Sequence, residues 1–251
     1  MGPSVPPASY QTVGAPDVAF LGHRFRTKEN AVNVGMLGTG NLAETLGRAW
    51  ARSGHSILVT GRDPLHADRA AGRIPAAEAV APADFAGRTD AVVVAVPWEG
   101  LTAVLQLVGA PDGALAGRTV IDCTNPVDYA TGELKPASGS AAQLVARSAP
   151  GAHVVKALHL FAGASWPYAG PRETAPVVAV CGTERRALDL ATALIGDLGG
   201  RTAVIGGLDS ARQLEEAAGF VMRVAAAGHN PRLAVPDIDP ESLGTRQATT
   251  G

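Results

Sequence analysis

The chain has 251 residues, enough to bury a substantial core as one large domain or two small ones. With 46% hydrophobic and 18% charged residues, it is not a disordered chain. Its 21 Lys and Arg nearly balance 23 Asp and Glu, and no basic stripe breaks that balance, so nucleic acid is not an expected partner.

Residues 1–30 carry scattered Pro and Gly, no sustained period and no leader pattern. They read as a flexible N-terminal extension, with Phe20, Leu21 and Phe25 as its candidate contacts to a neighbour. From Val32 a repeating pattern begins. Residues 32–37 form an apolar strand ending in glycine. Residues 41–53 have helical spacing at Leu42, Leu46, Ala49 and Trp50, and Gly54 stands where a helix ends. Residues 56–60 are a second strand, and Pro64 opens a second helix that runs to about Gly72.

The β-branched run at residues 91–96 suits a parallel strand buried on both faces. It is also the core of the longest apolar run, far below the roughly 20 residues that cross a bilayer. No membrane partner is expected, and the cytoplasm is the expected location. A helix over residues 100–108, a strand over 118–122, a helix over 138–148 and a strand over 153–158 continue the alternation. That pattern predicts an α/β fold: a doubly wound, mostly parallel Rossmann sheet occupying residues 31–158.

A strand at 177–181, a helix at 184–198, a strand at 202–205 and a long helix at 208–227 follow. They make residues 159–230 a smaller C-terminal α/β lobe, with residues 231–251 as an extended tail. In the last helix Leu214, Ala218, Val221, Met222 and Ala225 share one apolar face. Core packing explains that face; the alternative is a homodimer formed through the C-terminal helix. Cys123 and Cys181 are far apart and lack metal-ligand spacing, so they read as two buried thiols in a reducing compartment, with no metal.

The chemistry concentrates in Gly38-Thr39-Gly40-Asn41-Leu42-Ala43, a G-x-G-x-x-A turn between a strand and a helix. Gly38 lets the strand turn sharply, and Gly40 lets a pyrophosphate approach the backbone. Ala43 keeps helix and strand close. The helix then directs its free N–H groups and its dipole at the phosphates. At the end of the second strand stands Thr60-Gly61-Arg62 where an NAD enzyme places a carboxylate. The Arg62 guanidinium suits a 2′-phosphate and Thr60 adds a hydroxyl, so NADP(H) is the expected cofactor. Asp63 is either the helix cap or a ribose partner, and the Asp-Pro sequence favours the cap.

Several motifs together resemble the NADP oxidoreductases that depend on the deazaflavin coenzyme F420. They are the turn GTGNLAETL, the segment Val96-Pro97-Trp98-Glu99, the strand Val154-Val155-Lys156-Ala157-Leu158-His159, the strand from Pro176 to Gly182, and Ala211-Arg212-Gln213-Leu214-Glu215. The resemblance implies a hydride passed between NADPH and C5 of a deazaflavin, the two rings stacked in a cleft between the Rossmann domain and the C-terminal lobe. It also implies that His159 is the family's histidine, and that Val96, Pro97 and Trp98 form its loop under the nicotinamide.

Beside that assignment stand plainer ones. His159 is a donor to a ring carbonyl or a hydrogen-bonded structural residue, and Trp98 walls the pocket or packs. The Asn125 amide binds ribose or nicotinamide, or holds a turn. Lys156 points away from the site. Arg212 and Glu215, three apart on a helix, suit an intrahelical ion pair. After His159 the sequence departs from the family. Leu160, Phe161, Trp166 and Tyr168 make an aromatic loop suited to a flat unsaturated ligand. Lys28, Lys135 and Lys156 are the only lysines, so Arg172 and Arg212 are the candidates for the acidic tail of a deazaflavin.

Two other functions compete. An NADPH-dependent reductase of a small imine or carbonyl substrate would need His159 or Tyr168 as general acid. A non-enzymatic NADPH-binding sensor or scaffold would rest on the long apolar helix and the N-terminal extension.

Overall fold

Eight strands join into one sheet in the order β3-β2-β1-β4-β5-β6-β7-β8. The computed structural model describes residues 31–160 and 163–238, so the expectations for residues 1–30, Phe161 and residues 239–251 lie outside the described residues. The strands are β1 (Asn33–Leu37), β2 (Ser56–Thr60), β3 (Glu78–Ala79), β4 (Ala91–Val94), β5 (Thr119–Asp122), β6 (His153–Lys156), β7 (Val177–Gly182) and β8 (Arg201–Gly206). The helices are α1 (Asn41–Arg52), α2 (Pro64–Gly72), α3 (Pro82–Arg88), α4 (Leu101–Leu107), α5 (Ala141–Ser148), α6 (Arg185–Asp197) and α7 (Ala211–Ala226).

Side chains alternate across the sheet with the period of two that strands impose. Val34 and Met36 of β1 and Ala91 and Val93 of β4 face one core, with Trp50, Leu194 and Ile195. Leu37, Val92 and Val94 face the other, with Phe85, Leu101 and Leu105. Helices cover both faces, so the strand residues read as unbroken apolar runs. Side-chain oxygens of Asp63, Ser140 and Glu184 cap the starts of α2, α5 and α6.

The α/β, mostly parallel architecture expected from the sequence is present. Two departures have physical causes. First, residues 73–90, which carried no expected element, hold β3 and α3. Strand β3 is only two residues long, too short for periodicity to register. Helix α3 begins on Pro82 and drives Phe85 against Gly35. A Cβ at Gly35 would lie 2.6 Å from the Phe85 ring, so β1 accepts α3 only as glycine. Second, β7 runs antiparallel to β6, with Lys156 opposite Cys181, and β8 then lies parallel to β7. The C-terminal strands therefore extend the same sheet.

Only the first half of α7 is packed: Ala211, Leu214, Glu215, Ala218 and Gly219 are buried, whereas Met222 and Ala225 of the expected apolar face are exposed. The tail starts with a short turn, Pro231–Leu233, whose Arg232 amide donates to the Asn230 side chain. Among the described residues, no helix is long and apolar enough to cross a membrane.

Candidate active site

After β1 the chain builds β2 and β3 on one side, then returns to place β4 on the other. The carboxyl ends of β1 and β4 thus frame a crevice at the reversal of strand order, where open α/β sheets bind ligands. A cleft of about 330 Å³ lies there. Gly40, Asn41, Leu42, Val96, Pro97, Trp98 and Asn125, all expected cofactor residues, line it.

Gly38 has φ +138°, and a Cβ there would stand 2.3 Å from the Ala95 carbonyl oxygen. Only glycine makes this turn. Gly40 is different: its backbone is extended, and a Cβ would meet nothing within 4 Å. The open space lies in front of α1, whose N-terminus has no side-chain cap. That is the cradle a pyrophosphate needs, with leading amides left for its oxygens. Glu44 in the first turn would oppose an anion, but Arg73 at 2.7 Å and Arg48 at 3.2 Å pair with its carboxylate.

At the end of β2 the expectations divide. The Thr60 hydroxyl, buried, donates to the Val80 carbonyl at 2.9 Å, so Thr60 braces the link to β3 and is not free for a phosphate. That corrects its assignment. Asp63 accepts from the Leu65 amide at 2.9 Å and pairs with His66 at 3.2 Å; it is the helix cap. Arg62 is exposed, with its guanidinium about 4 Å from where a Gly100 Cβ would stand, and it has no ion-pair partner among the described residues. The Thr39 methyl packs on Gly61, 3.1 Å from a Cβ placed there.

At the edge of β5 and β6, the Asn125 amide donates to the His159 carbonyl at 2.7 Å. Leu158, just before, is buried with φ +57°, a costly conformation for a branched residue and one that over-determined sites store. His159 is 5% exposed, and neither ring nitrogen has a hydrogen-bond partner among the described residues. The Thr124 hydroxyl and the Asn125 side-chain oxygen are unpartnered beside it. Buried polar atoms are ordinarily bonded; of these three residues Asn125 lines the cleft, and His159 and Thr124 stand behind it. Burial, aided by the Lys156 charge, pulls the His159 pKa down to about 3, so the ring is neutral at physiological pH.

Lys156 itself is wholly buried between Asp122 and Glu215, each at 3.0 Å, and it also donates to the Thr124 carbonyl. Burial opposes its charge, but the two carboxylates outweigh burial and hold its pKa above the usual lysine value. Both cysteines are buried, and burial raises Cys123 to about 12 and Cys181 to about 11, so neither is a thiolate.

The aromatic loop is not gathered into the cleft. Trp166 is buried against Ile195 and Gly200 in the core that contains Trp50. The Tyr168 hydroxyl bonds within its own loop, to Thr174 at 2.6 Å and to the Pro171 carbonyl at 3.2 Å. Its amide donates to Leu198, next to Asp197, whose carbonyl takes the Ser53 hydroxyl. Tyr168 is therefore tied to the end of α1 remote from the glycine turn, too far to serve as general acid there. Leu160 is half-buried and does not line the cleft. Arg212 pairs with Glu216, not Glu215, and donates to the carbonyls of Pro136 and Gly139, so its guanidinium is committed away from the cleft.

Polar cleft residues to which the sequence reading gave no role are Glu99, Tyr129 and Lys135. The usable signal was position: all three follow the carboxyl ends of β4 and β5.

A mostly parallel sheet with a glycine turn at its switch point and an uncapped helix behind it defines a Rossmann-type dinucleotide-binding protein. The family model of the NADP oxidoreductases, coenzyme F420-dependent, matches residues 33–126. The chain is similar, at 26% identity and a TM-score of 0.70, to a protein of Arthrobacter sp. FB24 assigned as an F420-dependent NADP reductase. That likeness covers 80% of this chain and 97% of the other. The metalloreductase STEAP3 of Rattus norvegicus is 29% identical over 189 residues, 74% of this chain; the chain spans only 36% of that relative's length. A reductive aminase of Aspergillus terreus, solved with NADPH and ethyl-5-oxohexanoate, shares the fold: TM-score 0.59, 18% identity, 79% of this chain and 63% of the other. These findings bear out the resemblance seen in the sequence, and the family model falls on the part of the sheet that carries the glycine turn.

Proposed function

We propose that this chain passes a hydride between NADP(H) and the deazaflavin coenzyme F420. The nicotinamide, when bound, supplies the hydride at C4, and the deazaflavin C5 is the complementary carbon. The leading amides of α1 hold the pyrophosphate and Arg62 takes the 2′-phosphate. Val96, Pro97 and Trp98 wall the nicotinamide half of the cleft. Asn125 and His159 offer neutral polar atoms to ring or carboxamide oxygens and nitrogens.

The observation that carries this reading is His159: buried, neutral, and with no hydrogen-bond partner on either ring nitrogen among the described residues. A neutral imidazole suits a conjugated ring that needs orientation, where proximity supplies most of the acceleration. An imine or carbonyl must gain a proton at the reacting group as it gains the hydride, whereas the charge that a hydride brings to C5 of a deazaflavin is delocalised over its pyrimidinedione ring, which takes its proton at N1 from solvent. For that reaction the sequence offered His159 and Tyr168; the first has no imidazolium proton at neutral pH, and the second sits elsewhere. The test is optical. NADPH and oxidised coenzyme F420 mixed with the protein should bleach the deazaflavin band, and an unchanged band at high protein concentration overturns the reading.

A separate reading concerns assembly: we propose a homodimer through α7. Phe220 and Met222 are 48% and 41% exposed, and Phe220 lines an open hollow with Gly132 and Arg223. Sedimentation should show a dimer that Phe220→Glu converts to monomer; a monomeric wild type overturns it.

A further inference from the structure

Residues 126–135 form a small hairpin at the mouth of the cleft. Val127 bridges Leu134 in antiparallel fashion, the Asp128 amide donates to Glu133 at 2.8 Å, and the Lys135 amide donates to Pro126 at 2.7 Å. Two further bonds brace the turn, from the Ala130 amide to the Asp128 carboxylate and from the Glu133 amide to the Thr131 hydroxyl.

The hairpin is held from behind. Gly132 lies so close to α7 that a Cβ on Gly219 would stand 2.1 Å from the Gly132 carbonyl oxygen. Arg212 grips the carbonyls of Pro136 and Gly139 at 3.2 and 3.0 Å. The element is therefore a fixed wall facing the Val96-Pro97-Trp98 loop. It contributes Val127, Tyr129 and Lys135 to the lining of the cleft, the last two with aromatic and charged side chains.

Tyr129 is 65% exposed, in a chain with only 4% aromatic residues. An aromatic face left bare on the wall of a cleft is a stacking surface for a flat ring. Lys135 is the only cation lining the cleft among the described residues, and Glu99 its only carboxylate. The two pair across the mouth, from the hairpin to the turn that follows β4. Both reach water, with 37% and 62% of their side chains exposed, and a pair in that setting is worth little and exchanges readily. An anion seated in the cleft would compete with Glu99 for the same ammonium.

We propose that this hairpin selects the second substrate, Tyr129 stacking on its conjugated ring and Lys135 binding an anionic group attached to that ring. The proposal rests on the hydride-transfer reading above and names the residues that recognise the acceptor. It makes Lys135 and Glu99 act in opposite directions: the lysine attracts the anion, and the glutamate occupies the lysine and repels the anion. A pair that merely braced the mouth would have no such opposition.

The experiment is a fluorescence titration of the full chain, saturated with NADP⁺, with two probes: oxidised coenzyme F420, and the same deazaflavin without its acidic tail. Lys135→Met should weaken F420 binding by about tenfold or more while moving the tail-less probe less than about twofold. Glu99→Gln should tighten F420 by about two- to fivefold. Tyr129→Ala should weaken both probes alike, and NADPH affinity should hold in all three variants. If Lys135→Met and Glu99→Gln shift F420 in the same direction, or Lys135→Met leaves it unchanged, the hairpin proposal fails and the F420 reading stands. Weakened NADPH binding in Lys135→Met also overturns it, by assigning the lysine to the dinucleotide. A wild type that binds NADPH but neither deazaflavin overturns the F420 reading, and the hairpin proposal with it.

Discussion

The Lys156 ammonium meets the Glu215 carboxylate at 3.0 Å with neither side chain exposed. Asp122 on β5 completes the group at 3.0 Å, and Glu215 also accepts from the Ala141 amide at the start of α5. One buried charge cluster thus joins β5, β6, α5 and α7. Lys156→Met would leave two buried carboxylates without their cation and should cost about 3–5 kcal/mol in urea unfolding. Glu215→Gln keeps an acceptor for the α5 amide and should cost less. A loss below about 1 kcal/mol in Lys156→Met would contradict this account of the cluster.

His159 should make the fold acid-sensitive. Unfolded, it titrates near 6.5; folded, burial lowers it to about 3. Between those values the unfolded chain binds the extra proton, so this residue's contribution to stability is lost as pH falls from 6.5 towards 3. His159→Asn should flatten the acid limb of stability against pH. Equal slopes in variant and wild type would show that the ring is not buried neutral.

Arg62 is the candidate 2′-phosphate residue, since Thr60 and Asp63 are committed to backbone groups. Arg62→Leu should raise the NADPH dissociation constant by about 10- to 100-fold, the worth of a charge-assisted bond, and leave NADH nearly unchanged. Calorimetry with both nucleotides checks it; equal effects on the two would remove Arg62 from this role.

The aromatic loop should matter for stability and not for chemistry. Trp166→Ala opens a cavity against Ile195 and Gly200 and should cost about 3–5 kcal/mol. Tyr168→Phe gives up the hydroxyl's bonds to Thr174 and the Pro171 carbonyl, both in an exposed loop, and should cost about 0.5–1.5 kcal/mol with turnover intact. A collapse of kcat in Tyr168→Phe would restore the general-acid reading.

The sequence carried the parallel half of the sheet well, because strands buried on both faces and helices capped by Asp63 and Glu184 leave strong local marks. The Gly38–Gly40 turn and the Val96–Trp98 loop were legible for the same reason. Strand β3 was not, since two residues carry no period, and neither was the reversal at β7, which is set by how its register meets Lys156 and Cys181. Tyr129 and Lys135 were missed because a hairpin held by α7 is a long-range arrangement with no local signature. Trp166 and Tyr168 misled for the converse reason: aromatic clustering in sequence does not say which core the rings enter.

NADPH affinity in Gly40→Val bears on the central claim most directly. The extended backbone at Gly40 accepts a branched side chain, and that side chain would project into open space, so the melting temperature should hold within a few degrees. Its methyl groups would occupy the place of the pyrophosphate, and NADPH binding should fall by about a hundredfold or more, the loss expected when phosphate contacts to backbone amides are blocked. A stable Gly40→Val protein that binds NADPH like the wild type would contradict the account.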